Sequence, residues 1–123
     1  MSGSRWLLDT NVVIGILKKQ PNAVALVESH ELDLRETSVS QITRMELLGY
    51  RGLTVGEETE ILKLLASCRI LLLNESIERQ AIQLRRTTHC KLPDAIIAAT
   101  AHVHRLKLLT LDQQLNALME KCA

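Results

Sequence analysis

Short apolar runs recur along this chain, each separated from the next by two stretches of helical periodicity, and no other feature restricts the fold as tightly. Trp6-Leu7-Leu8 reads as a strand. Asn11 to Lys19 follows as an amphipathic helix that stops before Pro21, and Asn22 to Ser29 as a second. Leu34 to Ser38 is expected to be the next strand. Ser40 is placed to N-cap a helix through Gly49 or Tyr50, and Thr54-Val-Gly-Glu57 is a capping box opening a helix to about Ser67. Arg69 to Leu73 reads as a buried strand, and Asn74 or Ser76 as the cap of a helix to about Thr88. Pro93 fits the first turn of a helix ending near His104, since its missing N–H has no partner there anyway. Lys107 to Leu111 and Gln113 to Lys121 supply the last strand and helix.

The order is β-α-α-β-α-α-β-α-α-β-α. Apolar strands joined by helical crossovers lie parallel, with helices on both faces. The expected fold is therefore three-layer α/β/α with a central parallel sheet, in one domain over residues 1–123. Functional sites in such sheets form beyond the carboxyl ends of the strands.

Composition agrees with a packed core. Surface scaling for 13.8 kDa gives about 20,000 Å² unfolded and about 6,600 Å² folded, so roughly two-thirds is buried. Two Pro and five Gly leave no room for a long linker. No apolar run approaches the roughly 18 residues that span a bilayer, and the N-terminus lacks the basic-then-apolar order of a signal peptide. Cys68, Cys90 and Cys122 form no C-x-x-C pair and read as small buried hydrophobes in a reduced, cytoplasmic compartment. A net charge of +1 excludes a global field that draws the chain onto nucleic acid. Trp6 and Tyr50 are the only aromatics, too few for a base-stacking platform. Any RNA contact would run through phosphates and local basic patches.

The acids are more informative. Asp9 follows the first strand and Asp112 the last, while Asp94 stands in the first turn of a helix, on a face with Ile97, Ala98 and Ala101. Glu46 lies mid-helix on a face with Ile42, Met45 and Gly49. Each has a purely structural reading: Asp9 and Asp112 as helix caps, Asp94 as a dipole partner, Glu46 as half of a buried ion pair with Arg44 or another Arg. Jointly they converge on one edge of the sheet. Two carboxylates about 4 Å apart repel by roughly 4 kcal/mol at an effective dielectric near 20. Such a group either takes up protons or holds a cation, and hard oxygen donors select Mg²⁺ or Mn²⁺.

Four segments carry a family resemblance: Leu7-Leu8-Asp9-Thr10-Asn11, Ser40-Gln-Ile-Thr43-Arg-Met-Glu46-Leu47-Leu48, Leu92-Pro93-Asp94-Ala95 with Ile97-Ala98-Ala99-Thr100-Ala101, and Leu108-Leu109-Thr110-Leu111-Asp112. In order and over almost the whole chain, they resemble the motifs of PIN domains, and the compact length resembles the VapC-type toxins of bacterial toxin–antitoxin pairs. The resemblance places the family's acidic quartet on Asp9, Glu46, Asp94 and Asp112, as catalytic metal ligands, and its accompanying polar positions on Asn11, Thr43 and Thr110. Two departures stand out. Leu115 occupies a position that is commonly aromatic, and little chain follows the last helix to form a final edge strand.

What the resemblance implies is an Mg²⁺- or Mn²⁺-dependent endoribonuclease, with Asp9 and Asp94 as principal ligands and Glu46 and Asp112 binding a second ion or orienting water. In-line attack of water on phosphorus leaves 5′-phosphate and 3′-hydroxyl ends, without use of the 2′-hydroxyl. Arg85, Arg86 and Lys91 precede Asp94, and Arg44 neighbours Glu46; these are the candidates for RNA phosphate contact, set against their reading as solvated helix residues. The resemblance further implies a homodimer and a cognate antitoxin whose tail covers the acidic site, with Asn11 to Lys19 and Asn22 to Ser29 as candidate docking helices. No membrane partner is expected.

Other chemistries fit less well. His102 and His104, two apart on a helix, face different ways, and His89 is at most an acid–base group beside Cys90. A phosphorylated receiver domain would need an acidic pair after the first strand, and a haloacid-dehalogenase-type phosphatase D-x-D-x-T, where this chain has Asp9-Thr10-Asn11. The remaining alternative is a catalytically quiet PIN-like module that binds RNA or protein without cutting.

Overall fold

The structure, a computed structural model, describes residues 4–122; the small polar opening, where no targeting signal is read, and Ala123 lie outside them. Four parallel strands form one sheet in the order β3-β2-β1-β4: β1 (Trp6–Leu8), β2 (Thr37–Ser40), β3 (Arg69–Leu71) and β4 (Lys107–Leu109). Trp6 aligns with Thr37 on one side and Lys107 on the other, and Leu8 with Leu109. From β1 the chain steps outward through β2 to β3, then returns across the sheet to place β4 on β1's free side. The order therefore reverses between β1 and β4, and their carboxyl ends open the crevice where parallel sheets bind ligands.

Alternation along β1 sets the layers. Leu7 joins one buried cluster, with Ile77, Leu84, Ile97 and Leu115 from the helices α5 (Glu75–Thr87), α6 (Leu92–Val103) and α7 (Gln113–Met119). Trp6 and Leu8 join the opposite cluster, with Val12, Leu47 and Leu64 from α1 (Thr10–Leu17), α3 (Gln41–Leu48) and α4 (Val55–Ser67). The period of two along a strand sends successive side chains to opposite faces, giving the three layers expected. Helix α2 (Pro21–Ser29) lies outside this frame against α1, at a crossing so close that a Cβ on Gly15 would collide with that of Ala23.

The element order matches the sequence reading, and the boundaries differ for local reasons. Leu34–Glu36 is a 3₁₀ turn rather than the start of a strand, because the Asp33 carboxylate accepts the Arg35 N–H at 2.9 Å and holds the backbone curled. β2 begins only at Thr37. β3 ends at Leu71 and is not the buried strand expected: Arg69 is exposed, and Leu72 and Leu73 are 63% and 45% exposed. The Leu73 N–H goes to the Gln41 side chain at 2.9 Å instead of a neighbouring strand, as an edge position permits. β4 stops at Leu109, since Thr110 and Leu111 are taken up by the site described below. Helix α1 begins a residue early, at Thr10, and ends at Leu17; α7 ends at Met119, and no strand follows it among the described residues. The three cysteines are free and half-buried rather than buried.

Candidate active site

Asp9 leaves β1 at its carboxyl end and is the N-cap of α1, so its extended backbone turns the chain from strand to helix. Its own N–H donates to Leu109 O at 2.9 Å, which carries the β1–β4 ladder one step past the strands and fixes the carboxylate at the crevice. Only 6% of the residue is exposed. Oδ1 accepts the Thr10 N–H at 2.7 Å, and Oδ2 accepts the Thr110 hydroxyl at 2.7 Å. Thr110 Oγ1 in turn accepts the Asp112 N–H at 3.0 Å and Nδ2 of Asn11 at 3.4 Å. A threonine hydroxyl has one proton and two lone pairs. With both lone pairs engaged, its proton is committed to Asp9, and both Asp9 oxygens are acceptors. The geometry is that of a carboxylate.

Asn11 completes the stitch, accepting the Leu111 N–H on Oδ1 at 3.2 Å. The loops after β1 and β4 are thereby tied together, which is why β4 ends where it does. Asp112 caps α7, accepting the Gln114 N–H at 2.8 Å. Asp94 is half-buried in the first turn of α6, immediately before a run from Ala95 to Ala101 that is buried throughout.

Glu46 differs from expectation. It is exposed rather than set on a buried apolar face, and Met45 beside it is 58% exposed. Among the described residues it has no ion pair with Arg44 or any other base. Its Oε1 accepts the Thr10 hydroxyl at 2.7 Å, and the buried Thr43 hydroxyl lies 3.1 Å from the same Thr10 oxygen. Thr10 thus holds Asp9 with its backbone and Glu46 with its side chain. Sequence reasoning passed over this residue; its only signal was its position between Asp9 and Asn11 in the first motif.

The acids act on one another. Burial pushes the Asp9 carboxyl above its usual range; the hydrogen bonds from Thr110 and Thr10 oppose this, and the charges of Glu46 and Asp112 add to it. Burial raises Asp94 likewise, reinforced by Asp9 and Asp112 and opposed by Lys91. All four acids are therefore linked through Asp9. They do not form a ready coordination sphere: among the described residues no three Asp, Glu, His or Cys side chains are gathered closely enough to hold an ion. Glu46 is held by Thr10, and Asp112 by its own helix. The donor set still fits a hard divalent cation: oxygen donors throughout, and no ion pair with Lys or Arg among the described residues.

The basic candidates separate. Lys91 is exposed and lines a cleft with Asp94 and Asp112. Arg85 and Arg86 line a different groove, with Ile82 and Leu92, and Arg85 donates to Cys90 O at 2.6 Å. Arg44 is exposed on α3, about 200° around the helix from Glu46. Leu115, standing where an aromatic is common, is buried and floors the Asp94–Asp112 cleft.

A strand-end Asp at the β1–β4 switch point, coupled to three further acids on one sheet edge, is the pattern of a known class, and the profile of the PIN domain family matches residues 6–121. The chain belongs to the PIN domain family and stands within it beside the VapC ribonucleases. It is 34% identical over 111 residues to Ribonuclease VapC10 of Mycobacterium tuberculosis, covering 86% of this chain and 81% of that protein. The crystal structure of FitAcB from Neisseria gonorrhoeae is similar at 35% identity and a TM-score of 0.74, over 94% of this chain and 93% of that one. A toxin–antitoxin complex from Klebsiella pneumoniae matches at 31% identity and a TM-score of 0.74, over 88% and 87%.

Proposed function

We propose that this chain is an Mg²⁺- or Mn²⁺-dependent endoribonuclease, the toxin of a toxin–antitoxin pair that works in the cytoplasm. The observation that carries the reading is Asp9, buried and hydrogen-bonded as a carboxylate while three other acids raise the local negative charge with no ion-paired Lys or Arg to offset it. A protein that used the site only as a surface would be more stable without this arrangement. In this reading Asp9 and Asp94 are the principal ligands, with Glu46 and Asp112 completing the set or orienting water. When bound, a divalent ion supplies the Lewis acidity that activates water near neutral pH and offsets charge on the phosphodiester.

The chain's own residues do the rest. Thr110 and the Thr10 N–H fix both Asp9 oxygens as acceptors. Thr10 and Thr43 hold Glu46 within reach of Asp9, and Asn11 locks the loop after β4 so that Asp112 keeps its place. Lys91 offers positive charge to the substrate phosphate.

An antitoxin partner is supported by the apolar groove between α1, α3 and α4, lined by Ile14, Leu17, Leu47, Tyr50 and Ile61 and opening at Glu46. Of the two helices offered for docking, α1 lines this groove and α2 does not. Self-association into a homodimer is favoured by the exposed Leu72, Leu73, Ile82 and Leu92. No helix among the described residues is long and apolar enough to cross a membrane.

The test is cleavage of a structured RNA by wild type and Asp9→Asn, in Mg²⁺ and in EDTA, with the product ends identified. The reading expects metal-dependent cutting, lost in the variant, with 5′-phosphate and 3′-hydroxyl ends. Cyclic 2′,3′-phosphate ends, or equal cutting by the variant, would overturn it.

A further inference from the structure

Two separate grooves adjoin the four acids, one lined by Glu46 and the other by Asp94 and Asp112, and their charges differ. The α1–α3–α4 groove, of about 280 Å³, is largely apolar and carries Lys18 against Glu46, Glu57 and Glu60. A polyanion entering it would meet a surplus of negative charge that a cation held at the four acids would not reach, since Glu57 and Glu60 lie outside that set. The second cleft, of about 360 Å³, runs between the loop before α6 and the helix α7. Its acids are Asp94 and Asp112 alone, both members of the proposed cation-binding set. Exposed Lys91 and Lys121 line it, with the exposed His89, and buried Leu115 and Leu118 form its floor.

We propose that the RNA strand flanking the scissile phosphate runs through this second cleft, between Lys91 and Lys121, and not along the α1–α3–α4 groove. The assignment rests on the nuclease reading and adds a direction to it. Lys91 and Lys121 supply mobile point charges to successive phosphates. A volume of about 360 Å³ lies within the range of small-ligand pockets, room for a nucleotide unit. The chain has too few aromatics to hold RNA by stacking, so these charges carry the contact. The route also leaves the apolar groove free for a protein partner.

Steady-state cleavage of one RNA in Mg²⁺ tests this, comparing wild type, Lys121→Gln and Lys18→Gln, with unfolding midpoints recorded for each. Lys121→Gln is expected to raise KM about fivefold at low salt with kcat nearly unchanged, and to lower the salt slope of binding by about 1. Lys18→Gln is expected to leave KM as in wild type. A KM raised by Lys18→Gln and not by Lys121→Gln, or moved by neither, overturns the proposed route while the nuclease reading stands. A wild-type protein with no metal-dependent cleavage overturns both.

Discussion

Thr110 gives its proton to Oδ2 of Asp9 at 2.7 Å, from a position 101 residues further along the chain. Thr110 Oγ1 itself accepts the Asp112 N–H, so one hydroxyl links the acid after β1 to the acid after β4. Replacing it by an isosteric methyl tests how much of the site depends on that link. Thr110→Val leaves a buried carboxylate oxygen and an N–H without partners, and is expected to cost about 1–3 kcal/mol in urea unfolding. RNA cleavage should fall with it. Thr110→Ser should recover most of both.

Thr10 makes a separate prediction, because it touches Asp9 through its backbone and Glu46 through its hydroxyl. Thr10→Val keeps the backbone bond and releases Glu46. The Mg²⁺ concentration for half-maximal cleavage is expected to rise about 10–100-fold, as for other residues that orient metal ligands. Thr10→Ser should stay near wild type. A wild-type metal dependence in Thr10→Val would show that Glu46 needs no such support.

Asp94 predicts a pH dependence. Its folded carboxyl is raised above the usual 3.8, by burial first and then by Asp9 and Asp112. Below about pH 4 it is neutral in both folded and unfolded chains. Above that the unfolded chain ionises more readily, so stability is lost as pH rises through the folded value. In EDTA, Asp94→Asn should therefore raise the melting temperature at neutral pH, with the gain shrinking toward pH 4. In excess Mg²⁺ the gain should shrink or reverse, because an ion bound by wild type alone would stabilise it. Equal melting of the two proteins across the pH range would contradict the burial and repulsion described.

Gly15 tests the frame rather than the chemistry. A methyl there meets the Ala23 methyl on α2, between two helices with little freedom to separate. Gly15→Ala is expected to destabilise the fold by about 1–3 kcal/mol while cleavage per folded molecule stays close to wild type.

Much of this architecture was legible in the residues themselves. The unbroken apolar run Trp6-Leu7-Leu8, the Thr54–Glu57 capping box and the apolar face behind Asp94 each specify a local structure that the whole fold retains. Strand ends were not legible, because they depend on partners distant in sequence: β3 stops where Leu73 turns to Gln41, and β4 where Thr110 and Leu111 turn to Asp9 and Asn11. Asp33 curling the chain at Leu34 is a local effect that the hydrophobic pattern masks. At the site, helical periodicity puts Glu46 on the face of Ile42 and Met45 but does not show that this face is open. Thr10 was missed for the same reason, since its role exists only once α1 and α3 meet.

The central claim is that the acids around Asp9 hold a divalent cation. Titration of Mn²⁺ into wild type and Asp9→Asn, followed by the loss of the free-ion paramagnetic resonance signal, tests it without any RNA present. Wild type should remove one or two Mn²⁺ per chain in a saturable way, with Mg²⁺ competing, and Asp9→Asn should bind far more weakly. Indistinguishable titrations of the two proteins would contradict the account.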